Sequence, residues 1–238
     1  IMDQVQLSHF NSTSVAAVGY ANTIITVVLL TFNVTSLAAM ILVSQYRGAN
    51  DLNSTNQIYT LSLLVNAGLS IFLAVVLLVF AQPIFSLMQV PAELMQEACD
   101  YLRITAAALP FQAIMLTFSA FLRAGAHMKV IMLITGFINV CNIIGNAVLI
   151  NGLGPLPRLG AAGAALSSSI FRVVGMLLMG WMFFRFTQEA RVGFSMLRPF
   201  PKQLLRRLLE IGLPSGGESL SYNLSQTSCL IFVNIMGT

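Results

Sequence analysis

The chain alternates between long apolar segments and short polar ones. Asp, Glu, Lys and Arg are missing from five stretches, 4–46, 52–92, 104–122, 130–157 and 219–238. A helix rises 1.5 Å per residue, so about 20 apolar residues cross the hydrocarbon core of a bilayer. Each stretch is long enough for one such crossing. The pattern therefore predicts membrane-spanning helices joined by polar loops.

The same pattern predicts seven spans, of which the first is only a tail. They are expected at 1–7, 14–44, 58–80, 92–122, 128–150, 161–184 and 208–236. Pro83 and Pro91 are expected to break the chain between the third and fourth spans. Because the chain lacks an initiator Met and stops directly after an apolar run, we expect an internal piece of a longer polytopic protein.

Composition supports a bilayer as the solvent. Hydrophobic residues make up 57% of the chain and charged residues 8%, and the mean hydropathy is +0.83. A soluble domain carries about 25% charged residues, so this chain could not cover a water-facing surface. The three cysteines lack the spacing of a metal site. Neither a phosphate-binding loop nor a catalytic motif is found, so no enzyme, no nucleic-acid partner and no cofactor are expected.

The distribution of basic residues predicts the orientation in the plasma (cytoplasmic) membrane. Positive residues favour cytoplasmic loops. Nine of the twelve lie in the loops after the second, fourth and sixth spans, which are therefore predicted to be cytoplasmic: Arg47, Arg123, Lys129, Arg185, Arg191, Arg198, Lys202, Arg206 and Arg207.

Three amides lie inside the fifth predicted span. Asn139, Asn142 and Asn146 are spaced i, i+3 and i+7, which places them on one face of a helix. An unpaired amide in hydrocarbon costs several kcal/mol, so this face is expected to turn inward. Hydrogen bonds between helices, at about 0.6 kcal/mol each, would explain why the span carries these amides. A polar cavity or an ion path would explain their presence equally well.

Two charges occupy unusual positions. Asp3 precedes a long uncharged stretch; inside the membrane it could exchange protons near neutral pH, and at the interface it would simply end a helix. Arg172 lies in the middle of the sixth span. It must pair with a carboxylate or carbonyls or reach the interface, and it could also contact a substrate.

The last predicted span opens with a polar face. Pro214 removes a backbone hydrogen bond shortly before Glu218. This face could line a cavity, or Glu218 could be exposed where a helix starts at the cytoplasmic side. At spacings of three to four residues the face comprises Glu218, Tyr222, Asn223 and Gln226.

Six longer motifs resemble the multidrug and toxic compound extrusion (MATE) transporters, with a bacterial character. They follow one another in the family's order and cover nearly the whole chain. They are "VAAVGYANTI", "ILVSQYRGANDLN", "YLRI", "LRAGAHMK", "NVCNIIGNAVLINGLGPLPRLGAAGAALSSSIFR" and "LLEIGLPSGGESLSYNLSQ".

The resemblance implies a fold of twelve helices in two six-helix lobes that rock to give alternating access. Residues 1–186 would be the N-lobe from the tail of helix 1 to helix 6, 187–207 the cytoplasmic connector between the lobes, and 208–238 helix 7, the first of the C-lobe. The fold class is then an all-α polytopic membrane protein with a MATE-like six-helix N-lobe bundle. The full-length protein is expected to be monomeric.

The resemblance also implies export of lipophilic cationic small molecules, driven by inward H⁺ or Na⁺. Asp3 matches the family's acidic residue on helix 1, where Na⁺ could bind, and Asn142 matches an amide on helix 5. Asn146 and Tyr222 stand where some members carry further acids, so the choice between H⁺ and Na⁺ stays open. The alternatives are a flippase for lipid-linked precursors, which usually needs a more basic central cavity, and a non-transporting membrane scaffold.

Overall fold

A computed structural model describes residues 12–151, 159–198 and 200–236. The side chains at 12–13, 151, 219–220, 222–224 and 226–236 fall outside that description. Within it the chain forms α-helices and one 3₁₀ turn, Phe194–Leu197, with no strand, which confirms the predicted all-α class. The helices are α1 (Ser12–Gly48), α2 (Leu52–Leu87), α3 (Ala92–Ala107), α4 (Leu109–Ala124), α5 (Met128–Asn151), α6 (Gly160–Phe186) and α7 (Lys202–Met236).

Four of these helices, α1, α2, α5 and α6, are long and apolar enough to cross a membrane, and α3 with α4 forms a fifth, bent candidate. The predicted second, third, fifth and sixth spans are therefore confirmed as helices of membrane-spanning length, and the fourth corresponds to the bent pair. The first predicted span lies outside the described residues. The seventh lies within α7, and its crossing of the membrane stays a prediction.

The fourth predicted span is bent rather than straight. It divides at Ala108 into α3 and α4, whose axes differ by 48°. Pro110 has no N–H for the carbonyl of Ala106, and its ring clashes with that carbonyl in a straight helix. Just before the proline, the Ala108 N–H donates to the Thr105 carbonyl at 3.1 Å, three residues earlier and not four as in a regular α-helix. The expectation of one helix over 92–122 was wrong at this point.

Pro83 does not break the chain as predicted. It lies inside α2, which continues to Leu87. A proline so close to the C-terminal end removes one hydrogen bond without ending the helix. The turn comes later, where Gln89 adopts a left-handed backbone with φ of 55° and the Val90 N–H donates to the Phe85 carbonyl at 3.1 Å.

Helix α7 begins at Lys202, inside the segment predicted as connector. Pro201 directly precedes it, and its carbonyl accepts hydrogen bonds from the N–H groups of Leu204 and Leu205, both at 3.1 Å. Leu204 and Leu208 are buried, so this first turn packs against the bundle. The irregular part of the connector is correspondingly shorter than the predicted 187–207.

Two side chains of α2 hold the connector against the bundle. The Asn56 Nδ2 donates to the Glu189 carbonyl at 3.4 Å, and the Asn56 Oδ1 accepts from the Arg191 N–H at 3.0 Å. The Thr60 Oγ1 accepts from the Gly193 N–H at 3.3 Å. Both α2 side chains are buried. The connector is therefore docked on the end of the bundle where α2 begins.

Asp51 starts α2 at the same end. Its Oδ1 accepts the Ser54 N–H at 3.0 Å, which satisfies one of the free donors of the first turn. Hydrogen bonding to Ser54 lowers the pKa of Asp51 below its usual value. The cap therefore favours the charged carboxylate.

The bundle interior has two apolar clusters with a polar layer between them. One cluster includes Phe32, Phe85 and Leu102. In the other, the Tyr59 ring meets Phe121 and Phe183 edge-on, with centroids 4.7 and 5.0 Å apart. The polar layer lies between these clusters along α1, α2 and α4, and it interrupts an otherwise continuous hydrophobic core.

Asn66 forms the centre of that polar layer. Its fully buried amide Nδ2 donates to Ser36 Oγ at 3.1 Å and to Thr117 Oγ1 at 2.7 Å. Thr35 Oγ1 donates to the Asn66 Oδ1. One amide thus links α1, α2 and α4 through hydrogen bonds within the apolar interior.

The outward faces of α2 and α5 are apolar. Phe72 of α2 is 63% exposed and Leu133 of α5 is 68% exposed. Such continuous apolar surfaces are disfavoured in water and favoured against lipid. The chain is a multi-pass membrane protein, and these faces are suited to contact with lipid. Further exposed members are Ile71, Val75, Val79, Phe80, Met132, Phe137, Val140 and Ile144.

Candidate functional site

A cavity of about 350 Å³ lies between α4, α5 and α6. Its wall combines amides, hydroxyls and one guanidinium with apolar side chains. Pockets for small molecules share this composition, with apolar walls and a few polar groups that fix orientation. The lining residues are Gln112, Met115, Leu116, Ser119, Thr135, Ile138, Asn139, Asn142, Ser168, Phe171, Arg172 and Met179.

Glycines bring α5 and α6 together beside this cavity. A Cβ on Gly163 would lie 2.5 Å from the Leu149 carbonyl oxygen, and a Cβ on Gly145 would lie 2.6 Å from Ser167 Oγ. Real Cβ atoms do not approach other atoms so closely. The small residues of "GAAGAALSSS" therefore permit close helix packing, as the sequence predicts.

The close approach lets the α5 amides reach hydroxyls on α6. Asn142 Nδ2 donates to Ser168 Oγ at 3.2 Å, while Ser167 Oγ donates to the Asn142 carbonyl at 3.4 Å. Asn146 is fully buried, and its Nδ2 donates to Asn142 Oδ1 at 3.4 Å. The two asparagines thus form one hydrogen-bonded group between the helices.

The three predicted amides divide between two environments. Asn139 and Asn142 line the cavity, whereas Asn146 lies buried behind Asn142. Both interpretations of the spacing therefore describe part of the arrangement, because Asn142 takes part in interhelical hydrogen bonds and also lines a cavity. The roles of these amides in cation coupling stay predictions.

Arg172 lies on the cavity wall and also contacts the bent span. Its guanidinium donates from one terminal nitrogen to the Thr105 carbonyl at 3.5 Å. Ser169 Oγ donates to the neighbouring Ile104 carbonyl at 3.4 Å. These carbonyls precede the bend at Ala108, where the regular helical bonds are interrupted. Carbonyls are one of the partner types that the sequence predicts for Arg172.

Sequence reasoning missed several polar members of the wall. Gln112 and Ser119 of α4 and Thr135 of α5 line the cavity. A signal was present, because each is a polar residue inside a stretch without charges. Periodicity alone does not say which face of α4 turns toward α5 and α6, so these residues could not be chosen before the packing was known.

Most of the remaining predicted site residues fall outside what the structure describes. Asp3 lies outside the described residues. Glu218 is exposed on α7, well inside the helix, so it does not mark a helix start at Lys202. The side chains of Tyr222, Asn223 and Gln226 fall outside the description. Among the described residues no group of three or more His, Cys, Asp or Glu side chains could hold a metal ion.

Comparisons with known proteins agree with this architecture. The MatE family model matches residues 1–148. The chain is 35% identical over 237 residues to the uncharacterized transporter YisQ of Bacillus subtilis, covering 99% of this chain and 51% of YisQ. It is 26% identical to the probable multidrug resistance protein NorM of Thermotoga maritima, covering 98% of this chain and 49% of that protein.

The fold is also found in a solved transporter. The crystal structure of the Vibrio cholerae MATE transporter VcmN in its bent form matches with a TM-score of 0.88 at 20% identity, over 100% of this chain and 52% of VcmN. The chain spans about half the length of these relatives. The family match, the extended similarity to YisQ and the shared helical fold together place this chain in the MatE family of membrane transporters.

Proposed function

We propose that this chain is most of the N-lobe of a secondary active transporter, together with the first helix of the C-lobe. The transporter exports lipophilic cationic compounds by antiport against H⁺ or Na⁺. The observation that carries this proposal is the cavity lined by amides and hydroxyls within a bundle whose outer faces are apolar. A scaffold has no need of such a cavity at membrane depth.

The mixed wall of the cavity suits a drug-sized molecule. Met115, Ile138 and Phe171 offer apolar and polarizable surface, while Asn139 and Asn142 offer carbonyl oxygens to a cationic group. Thioether side chains adapt to different shapes, which favours binding of varied ligands. This combination supports recognition of lipophilic compounds without strict shape requirements.

Coupling is proposed to depend on Asp3, supported by Asn142 and Asn146. An H⁺ or Na⁺ taken up from outside by Asp3 would change the packing of the N-lobe helices and lower the affinity for the drug. A ligand shifts an equilibrium only by its difference in affinity for the two states. The hydrogen-bonded group of Asn142, Asn146 and Ser168 couples α5 to α6, so it is suited to pass on such a change.

The test uses the full-length protein reconstituted in liposomes. Efflux of a fluorescent lipophilic cation is followed under an imposed pH gradient and, separately, an imposed Na⁺ gradient. We expect one gradient to drive efflux and Asp3→Asn to reduce the rate at least tenfold, because the amide cannot exchange the coupling charge. Asn33→Ala is the matched control, since Asn33 is exposed and its Nδ2 only donates to Leu29 of its own helix.

The two gradients separate the possible outcomes. The gradient that works identifies the coupling ion. Gradient-driven efflux that survives Asp3→Asn would contradict the role of Asp3 while leaving antiport intact. If neither gradient moves the dye, drug efflux is excluded for this probe, and flipping of a lipid-linked precursor becomes the next activity to measure.

A further inference from the structure

We infer that a pocket beside the start of α7 binds the phosphate of an anionic phospholipid from the surrounding bilayer. The pocket has a volume of about 460 Å³ and lies between the last turn of α1, the first two turns of α2 and of α7, and the end of the connector. It shares no lining residue with the cavity between α4, α5 and α6. The inference therefore does not depend on what that cavity transports.

The pocket lies at the level of the lipid headgroups. The 36 residues of α2 form a helix about 54 Å long at 1.5 Å per residue, whereas the hydrocarbon core of a bilayer is about 30 Å thick. The first six residues of α2, "LNSTNQ", are mostly polar and precede the apolar stretch that begins at Ile58. These turns, with the pocket residues Ser54 and Gln57, therefore lie outside the hydrocarbon. Tyr46, at the end of α1, is of a residue type that is enriched at this level.

The wall of the pocket is positively charged. Lys202 and Arg207 line it, and none of the other lining residues, which all belong to the described part of the chain, is acidic. The nearby Asp51 does not line the pocket, and its carboxylate caps the start of α2. Arg206 pairs with Glu210, whereas neither Lys202 nor Arg207 forms an ion pair with a described residue. A negatively charged ligand complements this wall.

Tyr46 holds the guanidinium of Arg207 at the wall of the pocket. A terminal nitrogen of Arg207 donates to the Tyr46 hydroxyl at 2.6 Å, which joins α7 to α1. A guanidinium has five N–H donors arranged in a fork, and this fork matches two oxygens of one phosphate. The ammonium of Lys202, earlier on the same helix, adds a second positive charge without a fixed direction. Together the two side chains are suited to hold one phosphate group.

Exposed phenylalanines beside the pocket favour a lipid over a free phosphate. Phe200 lines the pocket and is 52% exposed, and Phe194 on the same connector is 75% exposed. Apolar rings next to basic residues are typical of segments that lie in the interface of a bilayer, with the rings toward the acyl chains. A free phosphate ion would not contact these rings, whereas the glycerol backbone and acyl chains of a phospholipid would.

The predicted orientation agrees with this ligand. The pocket lies at the end of the bundle where α2 begins, which the distribution of basic residues predicts to be cytoplasmic. Anionic lipids give the cytoplasmic leaflet a negative surface potential, and basic pockets on that side bind lipid headgroups. The phosphate of an anionic phospholipid is therefore the ligand that the position, the charge and the apolar rim share.

Binding of phosphatidylglycerol to the full-length protein tests the inference. The purified protein in detergent micelles is titrated with a phosphatidylglycerol that carries a fluorophore on one acyl chain, and unlabelled lipids compete with it. We expect phosphatidylglycerol to compete about tenfold more strongly than zwitterionic phosphatidylcholine. Lys202→Gln and Arg207→Gln should each weaken phosphatidylglycerol binding about fivefold, because each removes one attractive charge at the headgroup level. Binding of phosphatidylcholine should not change.

Two further variants separate the pocket from the general surface charge. Arg198→Gln removes an exposed charge of the same connector that does not line the pocket, and it should leave the preference unchanged. Gln203→Glu adds a carboxylate to an exposed position of the wall with nearly the same shape. It should weaken phosphatidylglycerol binding about fivefold while Lys202 and Arg207 stay in place.

The competition pattern decides the outcome. Equal competition by phosphatidylglycerol and phosphatidylcholine overturns the inference, and so does unchanged binding in Lys202→Gln, Arg207→Gln and Gln203→Glu. An equal effect of Arg198→Gln and Arg207→Gln would show diffuse attraction to a basic surface, which also overturns it. Displacement of the labelled lipid by glycerol phosphate as readily as by phosphatidylglycerol would show a site for free phosphate compounds and contradict the lipid. The measurement uses no gradient and no transported compound, so its result is independent of the proposed export function.

Discussion

At the scale of single residues, a buried amide and a half-buried amide use the same chemistry for different purposes. Asn66 bonds to Ser36 and Thr117 within the closed interior of α1, α2 and α4. Asn142 bonds to Ser168 but also faces the cavity. An amide in an apolar interior must find partners. Asn66 is therefore expected to stabilise the fold, while Asn142 is free to serve binding as well.

Replacing Asn66 tests this distinction. Asn66→Ala removes three side-chain hydrogen bonds, and at about 0.6 kcal/mol each in a membrane protein the free energy of unfolding should fall by about 2 kcal/mol. Denaturation of the full-length protein by SDS in detergent micelles measures the change. Asn33→Ala, at an exposed position, should cost less than about 0.5 kcal/mol. Equal stabilities of the two variants would refute the structural role of Asn66.

At the scale of helices, the bend at Ala108 and the close approach of α5 and α6 together shape the cavity. The bend redirects α4, which carries Gln112 and Ser119 on the cavity side. The close approach of α5 and α6 depends on Gly163, because a side chain at that position would clash with the backbone of Leu149. Neither feature contributes a reactive group, yet both decide where the polar side chains meet.

Gly163→Ala tests the close approach. The new Cβ would lie 2.5 Å from the Leu149 carbonyl oxygen, and since backbone cannot give way locally, the helices must separate. Such overpacking usually costs about 1–3 kcal/mol of stability. The same SDS denaturation measures it. Gly136→Ala on α5 is the matched control, because its Cβ would meet nothing within 4 Å. A Gly163→Ala variant as stable as this control would contradict the proposed constraint.

At the scale of the whole molecule, the docked connector and the basic loops indicate how the chain is placed in its membrane. Asn56 and Thr60 hold the connector at the end of the bundle where α2 begins. Nine of the twelve basic residues lie in or near the connections that follow α1, α4 and α6. The positive-inside rule predicts that this end of the bundle faces the cytoplasm. The division into lobe, connector and following lobe stays a prediction.

Cysteine labelling tests the orientation. In a full-length protein with every native cysteine replaced by serine, Cys99, Cys141 and Cys229 included, Gln96→Cys on α3 and Gln188→Cys on the connector each place a single thiol at an exposed position. A membrane-impermeant maleimide should label the Gln96→Cys variant on intact cells. The Gln188→Cys variant should react only after permeabilisation. The reverse pattern would show that the molecule is inserted the other way.

The sequence by itself determined the membrane environment, the existence and approximate place of the membrane-length helices, and the candidate amides on α5. These properties depend on local composition and on helical period, which tertiary contacts change little. Boundaries near proline did not follow from the sequence, because the effect of proline depends on its place in the helix. Pro83 near the end of α2 was tolerated, whereas Pro110 coincides with a bend of 48°.

Only the tertiary structure decided which polar side chains meet. Asn139, Asn142 and Asn146 share one helical face in sequence, yet in the folded chain Asn146 is buried while Asn139 lies on the cavity wall. Arg172 is a mid-span charge in sequence, and the bend of the neighbouring span supplies a carbonyl for it. The physical reason is that periodicity defines a face, while the direction of that face depends on how closely the neighbouring helices can approach.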